Sequence, residues 1–560
     1  MFRSTMKRQL LMLALLTPAP LLTTASAIAD EEALAVMVPG TGDYSRPIFT
    51  DSDTAQAFFD QGLRLTWGFY FPEAIASFQE AARHDPDNPM IHFGKAFAIG
   101  PNPNSRYSNL PDDPNGVGLE AIERAMSLIE HAPEKEQAMI RALHVLYDAD
   151  SIPDADERDQ AYMQAMGHLH QQYPDDPEIA TMFASAYMFI SRWDYWERDG
   201  SAKPGTLVAT DALEQAIRVE PHHPGANHMY IHMMESSMEP GRALVSAHRL
   251  ENTSPIVGHM VHMPGHIYLR TGDYERAIYM NQRSQIVDEQ FAEIWGDMQL
   301  PMIGTYNLSH RGHAMHALDF VRYAGFLQGN YDIAIEAAER GALTVSPEMA
   351  RQGRAQKRVV SAWLVDKAFG KWDKLLATEQ SHAGTPYLDG MWQYVIGSAY
   401  ANTDQVGEAQ AALVELRRQQ SREDVDVLGV SPTPASHVLQ IAAHSLEGQI
   451  HQAQGHLEMA VNSFQRAVEL EDQISYMEPP DWQQPARHYL GAALLEAGQA
   501  ADAEAVYRED LAWNHRNGWS TFGLLQALEA QGKDQEAALV QRQFDSIWRN
   551  ADITLTRSRM

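Results

Sequence analysis

Three histidine clusters carry the side chains most suited to chemistry. They read HMYIHMME from His228 to Glu235, GHMVHMPGHIY from Gly258 to Tyr268, and HRGHAMHAL from His310 to Leu318. Residues three, four or seven apart share one face of a helix, so His228, His232 and Glu235 form one row, and His259, His262 and His266 a second. His313 and His316 give a third, shorter row. Facing rows of imidazoles are the donor set of a transition-metal site, and a carboxylate such as Glu235 adds a ligand or an acid/base group. Taken singly, each histidine reads as an ordinary hydrogen-bonding groove residue. Their concentration on consecutive segments is what points to metal.

Methionine bears on which metal. Met229, Met233, Met234, Met260, Met263 and Met315 interleave with the histidines. Thioether beside imidazole suits copper, so copper is slightly favoured over zinc or iron, while the competing reading of these methionines is core packing. His222 and His223 fall in a turn and are read as solvated, and His248 as facing away.

A further constellation is YMEPPDWQQPARHYL, from Tyr476 to Leu490. EPPDW is a rigid turn, and Arg487 and His488 open the next helix. If the chain curls back on itself, Glu478, Arg487 and His488 form a second, catalytic wall; otherwise the stretch is a capping turn with ordinary polar side chains. There is no Gly-rich phosphate loop, no GxSxG elbow and no HExxH.

The elements that must position these residues are helical repeats. FFDQGLRLTWGFYFPEAIASFQEAARHDP, Phe58 to Pro86, resembles a tetratricopeptide repeat: Gly62 fills the small position of the first helix, and Ala74, Phe78, Ala81 and Pro86 those of the second and its exit. The unit is about 34 residues long. The same Gly-to-Ala spacing recurs at Gly265 and Ala277, Gly397 and Ala409, Gly448 and Ala460, and Gly491 and Ala503. DPDNP, YPDDP and EPHHP each end one helix and begin another. The expected fold is all-α, a tetratricopeptide-like right-handed superhelix (α-solenoid) of antiparallel helix pairs. In arrays of this kind first helices line the concave face, so both long histidine rows point into the groove. Interruptions around Asn102–Asn115, Trp193–Pro204 and Gly370–Pro386 read as loops or lids over it.

The boundaries drawn are a signal peptide over 1–27, an extension over 28–54, helix pairs over 55–220, histidine-rich units over 221–345, and C-terminal units over 346–560. The signal reading rests on Arg3, Lys7 and Arg8, an apolar run from Leu10 to Leu22, and Ala25-Ser26-Ala27, in the order of a cleaved secretory segment. The expected location is the periplasm. The 560 residues contain no cysteine, so any metal must be held by His, carboxylate or Met. A net charge of -31 without a basic cluster excludes nucleic acid as a partner. No stretch beyond the N-terminus is apolar enough to span a membrane.

WDYW, HPGANHMYIHMMESS, HMPGHIYLRTGDYERA, EPPDW and NGWS together resemble a family of exported bacterial tetratricopeptide proteins. The resemblance implies an all-α superhelix outside the cytoplasm, and no particular reaction. One departure is SHRGHAMH in the third cluster, which lacks an Asn after His313. Three functions are compatible with these residues: a metal-dependent enzyme acting on a small molecule, a metal carrier without chemistry, and a scaffold holding a peptide in the concave groove.

Overall fold

Gly62 leaves room for an aromatic ring, since a Cβ at that position would stand 2.8 Å from the ring of Phe78. The same arrangement recurs where Gly448 faces Phe464 and Gly491 faces Tyr507, at 2.6 and 2.3 Å. In each case the glycine sits on the first helix of a pair and the ring on the second, sixteen residues later. That spacing brings the two helices close enough to bury the ring, and a side chain in place of the glycine would part them. The pairs so built include Asp53–Trp67 with Phe71–His84, Ala435–Ala453 with Leu457–Glu471, and Ala486–Glu496 with Ala500–Trp513.

The computed structural model describes residues 33–104, 113–296, 310–351, 353, 355–427 and 432–560, with side chains of the His310–Leu327 helix given from Met315 onward. The chain divides into Met1–Ala33 and Leu34–Met560. The expected signal peptide therefore lies outside the described residues, as does the side chain of His313. Within Leu34–Met560 the fold is the expected all-α array of antiparallel pairs, without a β-strand among the described residues; an isolated bridge joins Trp196 to Ala202. No described helix is long and apolar enough to cross a membrane.

The Pro-containing turns work as caps. Asn88 and Asp176 accept the first backbone N–H groups of the helices that begin at Pro89 and Pro177, and proline sits where no N–H is needed. EPHHP does the same through His223, whose Nδ1 accepts from the Ala226 N–H at 3.0 Å. His223 is accordingly not solvated. It is buried, with Nε2 3.1 Å from Glu178. His222 and His248 are exposed, as read.

Distant segments close the array. The Arg270 guanidinium lies 4.0 Å over the Trp513 ring and donates to the Trp513 carbonyl, while Arg198 pairs with Asp472 at 2.5 Å. The histidine rows expected to line the concave groove are thereby buried inside the array. His228, His232, His259, His262 and His266 are all at most 6% exposed.

Candidate metal centre

Four helical segments deliver the histidines: Pro224–Glu235 carries His228 and His232, Gly258–His262 carries His259 and His262, Pro264–Thr271 carries His266, and His310–Leu327 carries His316. Pro264 has no N–H to donate, which divides the middle row into two short helices, but Met263 keeps helical angles and the row stays on one face.

The side chains gather into two adjoining sets of three. His228, His232 and His259 form one and His262, His266 and His316 the other, with ligand atoms in each lying within 4.8 Å of one another. A third combination, His232, Glu235 and His266, meets the same limit. Phe69 packs against the first set, its ring 4.5 Å from His228 and 5.1 Å from His259, and Phe320 against the second, 4.8 Å from His262 and 4.5 Å from His266.

Hydrogen bonds fix which nitrogen faces inward. His228 donates Nδ1–H to the Trp67 carbonyl at 2.6 Å, and His232 donates its Nδ1–H to Glu235 at 2.8 Å. His262 donates Nδ1–H to Asn281 Oδ1, the oxygen being identified because Asn281 Nδ2 donates to the Ala277 carbonyl at 2.8 Å. His266 directs Nδ1 at both Glu235 and Glu478. With Nδ1–H committed, Nε2 is the nitrogen these rings turn towards one another, the usual orientation behind a metal, and His228 Nε2 meets His259 Nε2 at 3.1 Å. His232 Nε2 is buried and has no hydrogen-bond partner. His262 Nε2 and His266 Nε2 face each other at 2.7 Å, a contact between two lone pairs unless a proton or a metal ion lies there.

Charge follows burial and neighbours. Burial pushes the His232 imidazole down to about 3, so it stays neutral and available. Burial also disfavours charge on His266, but the carboxylates of Glu478 and Glu235 outweigh it and raise that ring to about 10. Burial, then Glu235, push Glu478 up to about 7.

A cavity of about 400 Å³ opens beside both sets. His232, His259, His266, His316 and Glu478 line it, together with Phe69, Trp193, Arg322, Lys357 and Arg358. Of the three expected lids, two border it: Asn102 and Asn104 from one and Trp193 from the second, while the Gly370–Pro386 stretch does not. Trp193 donates from Nε1 to Glu235 at 3.2 Å. Phe69 and Trp193 both hold left-handed backbone angles, φ 59 and 57, at a cost on the order of 1 to 2 kcal/mol each.

Several expectations are corrected here. Glu235 is fully buried behind the histidines and does not border the cavity, so it orients His232 and His266 and is not placed to act as an acid or base on a substrate. Arg487 and His488 do not join the centre. Arg487 forks onto Asp472 at 2.6 and 2.8 Å, and His488 pairs with Asp510 at 3.2 Å beneath Trp519. Glu478 is the part of the C-terminal wall that reaches the histidines. Met229, Met233, Met234, Met260 and Met263 belong to the hydrophobic core, Met315 packs against it, and none borders the cavity. Their sulfur therefore no longer favours copper.

Asn281, Phe69 and Arg322 had not been singled out. Asn281 had a signal: it stands sixteen residues after Gly265, where three other units place Phe78, Phe464 and Tyr507 and a fourth Leu413. A polar residue in an apolar slot marks a changed task.

A tetratricopeptide repeat family model matches residues 441–474, over most of the Ala435–Ala453 and Leu457–Glu471 helices and just beyond, outside the histidine-rich units. Among solved structures, the human IFIT1 dimer with m7Gppp-AAAA aligns with 86% of this chain and 95% of its own, at 12% identity and a TM-score of 0.33. The APC/C hetero-tetramer Cut9–Hcn1 aligns with 90% of this chain and 76% of its own, at 13% identity and a TM-score of 0.27. Yeast Tom70 aligns with 88% and 90%, at 10% identity and 0.27. No curated protein matches the chain.

Proposed function

We propose that this repeat protein is a metal-dependent enzyme acting on a small molecule, with one transition-metal ion held by His228, His232 and His259 and a second by His262, His266 and His316. The observation that carries the reading is His232 Nε2, buried, without a partner, and aimed inward by the Nδ1–H bond to Glu235. An unsatisfied buried acceptor costs about 1 to 3 kcal/mol, which a bound ion removes. Three imidazoles per ion leave a coordination position open, and zinc, copper(II) and iron all accept such donors. Bound there, the metal would supply Lewis acidity or redox chemistry.

The chain's own residues do the rest. Glu235 and Asn281 hold the imidazoles in one tautomer, Phe69 and Phe320 fix their ring planes, and Glu478 places a carboxyl that titrates near neutrality at the cavity wall. The size of the cavity, about 400 Å³, supports a small molecule in preference to a peptide laid along a groove. It also favours chemistry over carriage, since a carrier has no use for an aromatic-walled chamber beside its ions. Export to the periplasm, supported by the N-terminal sequence, belongs to the same proposal.

Elemental analysis of full-length protein prepared without a histidine tag tests the centre. A stoichiometric transition metal is the expected result. Protein that stays metal-free after incubation with zinc, copper and iron in turn refutes it.

A further inference from the structure

Three cations, Arg322, Lys357 and Arg358, border the cavity, together with the carboxylate of Asp319. His316 and Arg322 lie on one helix, six residues apart, or about 9 Å along its axis at 1.5 Å per residue, and both border the cavity. Arg358 and Lys357, on the Ala355–Ala368 helix, border it too.

Two of these cations have anionic neighbours. Arg358 Nε is 3.6 Å from Asp319, and Lys357 pairs with Asp481. Arg322 has none. It is 3% exposed, its Nε has no hydrogen-bond partner, and it forms no ion pair with any described residue. Tyr323, its chain neighbour, is 6.0 Å away, at the outer limit of a cation–π contact. Burial pushes the guanidinium down, and Asp319 only partly opposes this. Arginine nonetheless remains charged in proteins. A buried cation that makes no direct ion pair is costly, and a bound anion lowers that cost. The fork of the guanidinium fits carboxylate and phosphate oxygens in pairs.

We propose that the cavity binds a small organic oxyanion, its carboxylate or phosphate seated on Arg322 and flanked by Arg358 and Lys357, with the remainder passing between Phe69 and Trp193 towards the histidines. The end facing the histidines rests on the metal-enzyme reading; the anionic end rests on Arg322 alone. The six-residue separation of Arg322 from His316 along their helix calls for several bonds between the anionic group and the reacting atom. Metal chemistry would then act on the far end of the molecule, and the oxyanion would serve as a handle.

The test uses the full-length chain, stripped of metal by a chelator, and titration calorimetry with benzoate, phenyl phosphate, inorganic phosphate and neutral benzyl alcohol. Benzoate or phenyl phosphate should bind and benzyl alcohol should not, the stronger of the two anions identifying which oxyanion the site prefers. Inorganic phosphate binding as tightly as phenyl phosphate would remove the aromatic passage from the proposal and so overturn it. Arg322→Met should weaken binding at least tenfold while the melting temperature holds or rises, because an unpaired charge has been removed. If that variant does not fold, Arg322→Lys, which keeps the charge and loses the fork, should fold and bind more weakly than the natural protein. Equal binding of benzoate and benzyl alcohol, or natural affinity in either folded variant, overturns the proposal. Oxyanion binding by a protein that never takes up metal would remove the metal reading and leave this one standing; full metal content without oxyanion binding would do the reverse.

Discussion

Asn281 receives the Nδ1–H of His262 from a helix position that other units of the array give to an aromatic ring. Gly265 faces it as Gly62 faces Phe78, a Cβ there standing 2.4 Å from the Asn281 amide. The packing frame of the repeat has been kept and its content exchanged. An apolar ring that would have stabilised the helix pair is replaced by an amide that orients a histidine.

That exchange predicts how Asn281→Phe behaves. The slot accepts a ring elsewhere in the array, so helical circular dichroism should be retained. His262 would lose its acceptor, and metal affinity should fall by about 10- to 100-fold, the usual loss when the group behind a ligand is removed. Competition with a fluorescent chelator measures it, and an unchanged affinity would show that Asn281 serves packing alone.

The glycines give a second prediction. From spacing alone, Gly265 sits where two helices cross and Gly325 near the end of its helix, which suggests that Gly265→Leu should disrupt packing more than Gly325→Leu. The structure removes the contrast. A Cβ on Gly325 would press on the Ala334 backbone at 3.1 Å, and backbone yields less readily than the Asn281 side chain met by Gly265. Both leucine variants should lose on the order of 1 to 3 kcal/mol in urea unfolding, and only Gly265→Leu should also lower metal affinity. A stable Gly325→Leu would contradict the observed packing.

The division between what could and could not be read from the chain follows the range of the interactions. Helix pairing was legible because it depends on residues twelve and sixteen apart, such as Gly62, Ala74 and Phe78. The histidine rows were legible because helical periodicity alone puts His228 beside His232 and His262 beside His266. Closure was not, since Arg270 meets Trp513 across 243 residues of sequence and neither residue carries a local sign of it. Phe69 and Arg322 become meaningful only once that closure makes a cavity, and His223 is buried only because Glu178, on another helix, comes to meet it. Arg487 and His488 were drawn to the site by type and proximity to Glu478, but nearer carboxylates claim both.

Acid should weaken the C-terminal units first through Asp510. His488, Ser520, Asn517 and Asn514 all donate to its carboxylate. Burial alone would raise its pKa, but His488 and these donors hold it down at about 2, below the ordinary 3.8. A carboxylate with a depressed folded-state pKa contributes stability above its unfolded value and loses it as pH falls through the folded one. That contribution should be full above about pH 4 and gone near pH 2. Asp510→Asn should cost about 3 kcal/mol or more at pH 7, by leaving donors unmatched, and should flatten the stability profile between pH 4 and 2. Urea midpoints at pH 7, 4 and 2 test both, and an undiminished acid slope in the variant would assign it to other groups.

The two histidine sets predict a stoichiometry. They adjoin without sharing a member: His232 and His266, from different sets, have ring centres 5.5 Å apart, while His262 and His266, within one set, are at 4.5 Å. Each set should hold its own ion, so the protein should bind two equivalents. His228→Gln removes a ligand from the first set and should leave one equivalent, and His316→Gln should do the same from the second. Glutamine is used because these rings are packed against Phe69 and Phe320, and alanine would add a cavity cost of several kcal/mol that confuses lost metal with lost fold. Glu235 orients His232 in one set and His266 in the other, so Glu235→Gln should weaken both sites together. Should either glutamine variant of the histidines lose all metal at once, the two sets would be one shared site; should neither lose any, the ions are held elsewhere.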